Sequence, residues 1–294
     1  IIYIIYKTNN IIYIYIMKNI LYSGKVRDIY AHEDSNKLYI KTTDRLSSFD
    51  KHICNLKNKG KILTSICAFM FNKTKHIIPN HYISHINNIL VVKKCIPFKI
   101  EFVVRGYITG NTKTSLWTHY NNGIRTYCGI KFPDNLKKNQ KLAEPVITPT
   151  TKDIEDIPIS KEDIINKNYM TQTECDFVYK KAMELFKYGQ KIADDAGFIL
   201  VDTKYEFGKD ENNNIILIDE IHTCDSSRYW IKKTYENRYK NDIEPEKIDK
   251  DIIRDWVKNQ CNPYTDKIPE VPEDLKKKTI ELYENFYKNI VKFI

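Results

Sequence analysis

The chain has 294 residues, with 47 Lys and Arg against 38 Asp and Glu for a formal net charge of +9, and is 42% apolar and 29% charged. That length supports one large or two modest domains with a proper hydrophobic core, and the balance excludes a disordered, collagenous or multi-span membrane chain. Lysines and acids are intermixed, with no arginine-rich arm, zinc-finger spacing or RNP-like aromatic motif, so no nucleic-acid partner is expected; the few local cations that a small phosphorylated anion needs are compatible with the charge.

Residues 1–16, IIYIIYKTNNIIYIYI, stand apart from the rest and precede the first methionine, Met17. They lack the ~20 uninterrupted apolar residues of a membrane-spanning helix and the basic start of a signal peptide, so no membrane partner is expected. Two readings stay open: an extra hairpin or edge strand, and a tail from an upstream extension of the reading frame. From Leu21 to about Val104 strands dominate. The turns SGK at 23–25 and HEDSN at 32–36 flank VRDIY, and KLYIKTT follows, which predicts a hairpin whose first turn carries a glycine. ILTSICAFMFNKT repeats apolar residues at helical spacing, and NILVVKKC and PFKIEFVVRGYI read as strands. A small α+β unit therefore ends near residues 101–110.

Residues 111–141 are rich in Asn, Thr and Lys and read as loops, and Pro145 and Pro149 forbid a continuous element in LAEPVITPTTK. Residues 161–196 read as helices, opened by a Ser160–Asp163 capping box and stopped by Gly197. FILVDTKYEFG and NIILIDEIH predict a hairpin across KDENNN, and a helical tail broken by Pro263, Pro269 and Pro272 follows. The seven cysteines form no CxxC pair, so reduced thiols in a cytoplasmic compartment are expected rather than disulfides or a zinc site.

Three constellations could carry chemistry. In Ser23-Gly24-Lys25-Val26-Arg27-Asp28 a glycine turn admits a polyanion while Lys25 and Arg27 share a side of the alternating strand; taken alone, these residues favour a plain hairpin with two surface cations. In FILVDTKYEFG, Asp202, Lys204 and Glu206 share a face, and the predicted hairpin brings Glu206 beside Asp219, giving hard oxygen donors of the kind Mg²⁺ takes. Cross-strand salt bridging on a solvated face is the competing reading. The third set comprises the run Thr43–Asp50, Arg105 with Gly106, Ser115 and the TPTTK segment, whose guanidinium and hydroxyl groups suit an anionic substrate.

SGKVRDIY, TDRLSSFD, EFVVRGYITG, EPVITPTTK, LVDTKYEFG, IDEIHTCDSSRYW and DKDIIRDW occur in this order from about Leu21 to the C-terminus. With these motifs the chain resembles the SAICAR synthetases, the phosphoribosylaminoimidazole-succinocarboxamide synthases of purine biosynthesis, in their longer eukaryotic-type form. The resemblance implies an α+β fold with a kinase-like small N-terminal lobe, taken as residues 17–103, and a larger ATP-grasp-like lobe with a helical C-terminal region, taken as 104–294. It implies ligation of L-aspartate to 5-amino-1-(5-phosphoribosyl)imidazole-4-carboxylate with ATP and Mg²⁺, through an acyl phosphate, by a monomer.

Carried over by position, Gly24, Lys25 and Arg27 cover the ATP phosphates, adenine sits near Ile100, Glu101, Phe102 and Val103, and Glu206 and Asp219 hold magnesium. Lys204, Arg105, Ser115, Asp225, Ser226, Ser227 and Arg228 hold the imidazole ribotide, with Asp156 at its amino group. Asp44, Arg45, Ser47, Ser48 and Asp50 form the aspartate side. Lys25, Lys204, Glu206 and Asp219 carry the catalysis, and no residue stands out as a dedicated base for the amine. Two departures from the family pattern stand out. Cys224 replaces the usual proline, which removes a φ restraint and predicts an exposed, alkylation-sensitive thiol; and Asn111–Thr114 separates Gly110 from Ser115, so that Asn111 competes with Ser115 for the serine's role, the SxWxxY pattern favouring Ser115.

Overall fold

The computed structural model describes residues 20–49, 51–112, 114–152 and 156–292; residues 1–16, Asp50 and Lys113 of the expectations above lie outside them. The elements run β1 (Ile20–Ser23), β2 (Arg27–Ala31), β3 (Lys37–Thr42), β4 (Arg45–Ser48), β5 (Lys51–Asn55), α1 (Lys59–Thr74), β6 (Tyr82–Ile86), β7 (Ile89–Lys93) and β8 (Ile96–Ile108). There follow α2 (Leu116–Asn121), β9 (Thr126–Tyr127), β10 (Ile130–Lys131), β11 (Gln140–Ile147), β12 (Thr150–Thr151), α3 (Lys161–Asn166) and α4 (Gln172–Asp195). The chain closes with β13 (Phe198–Lys209), β14 (Ile215–Ile218), β15 (Ser227–Ile231), α5 (Lys232–Lys240), α6 (Asp251–Gln260) and α7 (Glu273–Lys292).

Two antiparallel sheets organise these elements. The first has five strands in the order β1-β2-β3-β7-β6, and the second runs β11-β8-β13-β14 with β12 on β8 and β15 on β13. The predicted hairpins are both present: Arg27 pairs with Thr42 between β2 and β3, and Glu206 pairs with Ile218 between β13 and β14. The chain changes sheets at Lys94–Cys95, and β8 then runs unbroken through the lobe boundary expected at 103/104. Its apolar residues explain why: Ile100, Phe102 and Val104 all enter one core, so no break in patterning marks the second lobe until Ile108 is passed.

Two sequence expectations change in detail. Residues 111–141 are not all loop, because Ser115 opens the short helix α2 and β9 and β10 form a small hairpin. Pro145 lies inside β11 rather than ending it; the missing N–H appears instead as a register break between Lys141 and Val146 in the pairing with β8. The helix starts are as read from the sequence. Ser160 Oγ accepts the Asp163 backbone N–H at 3.0 Å, and Thr171 and Glu174 add a reciprocal capping box at the start of α4. Gly197, at φ 85°, ends that helix region in a conformation glycine adopts without strain.

The main core is continuous beneath both sheets. It joins Ile66, Met70 and Phe71 of α1, Phe102 of β8, Val178, Leu185 and Phe186 of α4, Tyr205 and Phe207 of β13, and Tyr283 and Phe286 of α7. Alternation on β8 and β13 does the positioning: Ile100, Phe102, Tyr205 and Phe207 go into the core, and Glu101, Arg105, Asp202, Lys204 and Glu206 are carried on the opposite face. Burying one such phenylalanine is worth about 3–5 kcal/mol against alanine, so each buried neighbour fixes the position of the charged residue beside it.

Candidate active site

That opposite face floors a cavity of about 790 Å³, walled on one side by the Gly24–Arg27 turn and on the others by residues 47–49, 219–228 and 249–254. Of the expected residues, Gly24, Lys25, Arg27, Ser47, Ser48, Glu101, Val103, Arg105, Ser115, Asp156, Lys204, Glu206, Asp219, Asp225, Ser226, Ser227 and Arg228 line it together. Ile100 and Phe102 do not, because both side chains are fully buried in the core on the far side of β8. Their backbones are engaged by flanking strands: Ile100 pairs with Thr151 of β12 and Phe102 with Tyr205 of β13.

Three of the expected residues support the site rather than line it or present free groups to it. Asp44 accepts the backbone N–H groups of Asn58 and Gly60 at 3.1 and 3.0 Å, capping the start of α1. Arg45 pairs with Asp28 at 2.6 Å and donates to the Gly24 carbonyl at 2.9 Å, bracing the turn. The turn is tight because the Gly24 N–H bonds the Arg27 carbonyl at 2.7 Å, and a Cβ on Gly24 would lie 3.0 Å from that oxygen. Asp225 reaches the cavity wall, yet one carboxylate oxygen binds the fully buried Lys59 ammonium at 2.7 Å and the other accepts from the Tyr283 hydroxyl at 3.4 Å.

Acid and base alternate along the floor. Lys204 Nζ lies 2.8 Å from Glu101 and 3.1 Å from Glu206, and Lys152 also pairs with Glu206. Burial disfavours the Lys204 ammonium, but the Glu206 and Glu101 carboxylates outweigh it and hold the amine well above its ordinary value. Glu206 is pushed up by burial and then by the negative charge of Asp219, and the β13–β14 register sets Glu206 opposite Ile218, the residue before Asp219. Asp219 moves the other way: burial opposes its charge, but Arg27, Lys204 and Lys152 hold it ionised. Arg27 crosses from the small sheet to bond Asp219 at 2.8 Å and also pairs with Glu220.

A second chain of charges continues from β8. Arg105 Nε donates to Thr148 at 2.7 Å and its Nη1 lies 3.3 Å from Asp202; Arg228 bonds the same Asp202 oxygen at 2.6 Å and Asp251 at 2.7 Å. Arg254 extends it, with Asp251 at 2.7 Å and Ser48 Oγ at 2.7 Å on the facing wall. Ser115, which caps α2, lies in the wall, and Asn111 instead donates to Asp255 at 2.9 Å. Gly110, at φ 101°, permits this: a Cβ there would come 2.4 Å from the Ser115 Cβ.

The sequence reading named Asp202 and the Lys152-containing TPTTK segment without giving either residue a role, and it gave none to Glu220, Lys250, Asp251 or Arg254; all six line the cavity. Asp202 could have been given a role, since it was already placed on the strand face of Lys204 and Glu206. The 249–254 residues belong to the DKDIIRDW motif, but its place in the sequence does not show that it folds back onto this cavity. Cys224 corrects an expectation: it is fully buried, and burial raises its thiol well above the ordinary value, so it is neither exposed nor reactive. All seven cysteines are unpaired.

The donor set fits a magnesium ion bound with its nucleotide. Among the described residues no group of three His, Cys, Asp or Glu side chains could hold a metal alone. Glu206 and Asp219 supply two hard oxygens whose mutual repulsion a divalent cation relieves, which is the share a protein contributes when phosphates and water complete an octahedron.

Comparison with known proteins agrees with the geometry. The SAICAR synthetase family model matches residues 20–271. The chloroplastic phosphoribosylaminoimidazole-succinocarboxamide synthase of Vigna aconitifolia is 50% identical over 255 residues, covering 86% of this chain and 74% of the relative. The enzyme of that name from Legionella pneumophila strain Lens is 48% identical over 270 residues, covering 90% of this chain and 86% of its own length. Among solved structures, the SAICAR-synthase from Saccharomyces cerevisiae complexed with SAICAR superposes with a TM-score of 0.79 at 29% identity, covering 93% of this chain and 94% of that one. The small sheet lobe, the larger ATP-grasp-like lobe and the motifs that line the cavity between them place this chain in the SAICAR synthetase family of ATP-dependent carbon–nitrogen ligases.

Proposed function

We propose that this cavity carries out the family reaction, joining the carboxylate of the carboxylated aminoimidazole ribotide to the amine of L-aspartate, with the labour divided as follows. The Gly24 turn and Lys25 cover the ATP phosphates, with Arg45 holding the turn in shape. Glu206 and Asp219 take magnesium, which when bound neutralises phosphate charge and polarises the transferring group. Adenine lies along β8 near Glu101 and Val103, the two residues of the expected segment that face the cavity. Arg105, Arg228, Ser115 and Ser227 anchor the ribotide, and Asp156 lies at the rim for its amino group.

A carboxylate is a poor electrophile, because its negative charge repels a nucleophile and oxide is not a leaving group. Transfer of the γ-phosphoryl group to it creates an acyl phosphate that loses phosphate readily. Lys204 sits among Glu101, Glu206 and Asp219 and keeps its charge there, so it can offset the negative charge that develops during that transfer. The observation that carries this reading is the juxtaposition, on one floor, of the Lys204–Glu206–Asp219 cluster with the Arg105–Asp202–Arg228 chain. One binds a polyphosphate with its metal, and the other binds a second anion next to it.

Seven unpaired thiols suit a reducing compartment. The test is ADP release by the full chain given ATP, Mg²⁺ and the carboxylated ribotide, with and without L-aspartate. Aspartate-dependent ADP release matched by succinocarboxamide product is expected. ADP release indifferent to aspartate would point to a kinase-like phosphotransferase, and a folded chain that binds both ligands without turnover would be a binding protein.

A further inference from the structure

Proton removal from the incoming amine is the step for which the groups above provide no acceptor. Free L-aspartate carries an ammonium, whose nitrogen has no lone pair to attack with. Most acids around the cavity are engaged: Asp202 by Arg105 and Arg228, Asp251 by Arg228 and Arg254, Asp225 by Lys59, Glu101 by Lys204, and Glu220 by Arg27 and Thr223. Asp249 accepts the backbone N–H groups of Tyr229 and Asp251 at 2.9 and 2.7 Å. Lys204 and Lys152 are both clamped by carboxylates, and those around Lys204 hold its ammonium charged.

Lys250 differs from these. It is the residue immediately before α6, half-buried, with its side chain on the cavity wall, and among the described residues it makes no ion pair. The groups that act on it come from every side: Arg254 from its own helix and Lys204 from β13 oppose its charge, and Asp225 and Glu220 from the loop after β14 favour it. Burial is the largest influence, and with Arg254 it brings the amine down from 10.5 to about 8, so free amine is present near neutral pH. Arg254, one turn along α6, reaches across to Ser48 Oγ at 2.7 Å. An α-amino dicarboxylate seated on Arg254 and Ser48 by a carboxylate carries its ammonium into the neighbourhood of Lys250.

We infer that Lys250 is the base that takes a proton from the α-ammonium of L-aspartate seated against Arg254 and Ser48. This rests on the ligase reading above. In the step, the free Lys250 amine accepts one ammonium proton and becomes charged. The freed lone pair of aspartate attacks the acyl carbon, the C–N bond forms, and the C–O bond to phosphate breaks. The second nitrogen proton leaves with the departing phosphate, and Lys250 returns its proton to water. No oxidant or further reactant is needed.

Hydroxylamine separates this role from all others, because it is a neutral nucleophile at neutral pH and traps an acyl phosphate as hydroxamate without a base. The full chain and its Lys250→Met and Lys250→Arg variants are given ATP, Mg²⁺ and the ribotide, with either aspartate or hydroxylamine. Expected in both variants is hydroxamate formation within about threefold of wild type, while aspartate-dependent product falls about a hundredfold or more, the scale of a general base. Raising the pH should restore the Lys250→Met variant steeply, since the aspartate amine then deprotonates unaided. Near-wild-type aspartate turnover by Lys250→Arg would overturn the inference, because arginine keeps the charge but yields no free base. So would an equal loss with both nucleophiles, which would place Lys250 in phosphoryl transfer or in folding. Failure of the wild-type chain to form either product would overturn the ligase reading itself, and this inference with it.

Discussion

On the large-sheet wall of the cavity, Asp202 sits between Arg105 and Arg228 with 5% of its side chain exposed, and Lys59 and Asp225 meet at 0% and 4%. On the small-sheet wall, the Gly24–Lys25 turn is held by Arg45, 30% exposed, through two carbonyl bonds and the Asp28 pair. The difference concerns when charge is desolvated. Charges buried and paired at folding leave little to reorganise when a ligand arrives, which is the basis of electrostatic preorganisation. A turn held by solvent-accessible bonds costs little to reshape, so it can adjust over the phosphates. The Arg27 bridge to Asp219 and Glu220 ties the two walls together at the point where the metal would sit.

The sharpest way to break this contrast is to unpair the buried charges. Asp202→Asn or Lys59→Met leaves a buried partner uncompensated and should cost about 3–5 kcal/mol of stability, read from denaturant midpoints; a loss under about 1 kcal/mol would show that wall to be no more rigid than a surface one. Lys204→Ala or Asp219→Ala should lower kcat about 10²–10³-fold with the fold intact. Activity within about threefold of wild type, near 0.65 kcal/mol, would remove both residues from the chemistry.

Acid offers a gentler probe of the same pair. Burial opposes the Asp225 charge, but Lys59 and its neighbours outweigh it and hold the carboxyl below its ordinary 3.8. A depressed folded value means the stabilisation is fully present above the ordinary value and is lost as pH falls through the folded one. Wild-type stability should therefore drop more steeply below about pH 4 than that of Asp225→Asn, and parallel curves would refute the assignment. Smaller again, Arg45→Ala should change stability by no more than about 1 kcal/mol yet raise the KM for ATP; an unchanged KM would detach the turn from nucleotide binding. The smallest effect belongs to the thiols: Cys95, Cys128 and Cys261 should alkylate before Cys224, which is buried.

Much of the site was legible because strands write their faces into sequence. The alternation in FILVDTKYEFG put Lys204 and Glu206 on one face, and the paired run NIILIDEIH placed Asp219 beside them. The same rule, applied to KIEFVVRG, would have sent Ile100 and Phe102 inward, as the structure does; taking those four residues as one adenine-binding segment overrode it. Asp44 and Arg45 are assigned to the aspartate side by their positions in the TDRLSSFD motif. Their partners are backbone groups at the start of α1 and in the glycine turn, and a sequence does not display those partners.

By itself the sequence determined the hairpins, the capped helices, the cation-bearing glycine turn and, through seven ordered motifs, the family. These are local properties: period, caps and turn chemistry act within a few residues, so they can be read without knowing where the chain goes next. Only the tertiary structure decided which charges neutralise one another. Asp202 with Arg228, Lys59 with Asp225 and Arg27 with Asp219 are separated by 26, 166 and 192 residues. It also decided that Lys250 stands on the wall with no ion pair among the described residues and that Cys224 is sealed from solvent. Electrostatic environment depends on burial and on neighbours brought together from distant segments, and both exist only once the core beneath the two sheets has formed.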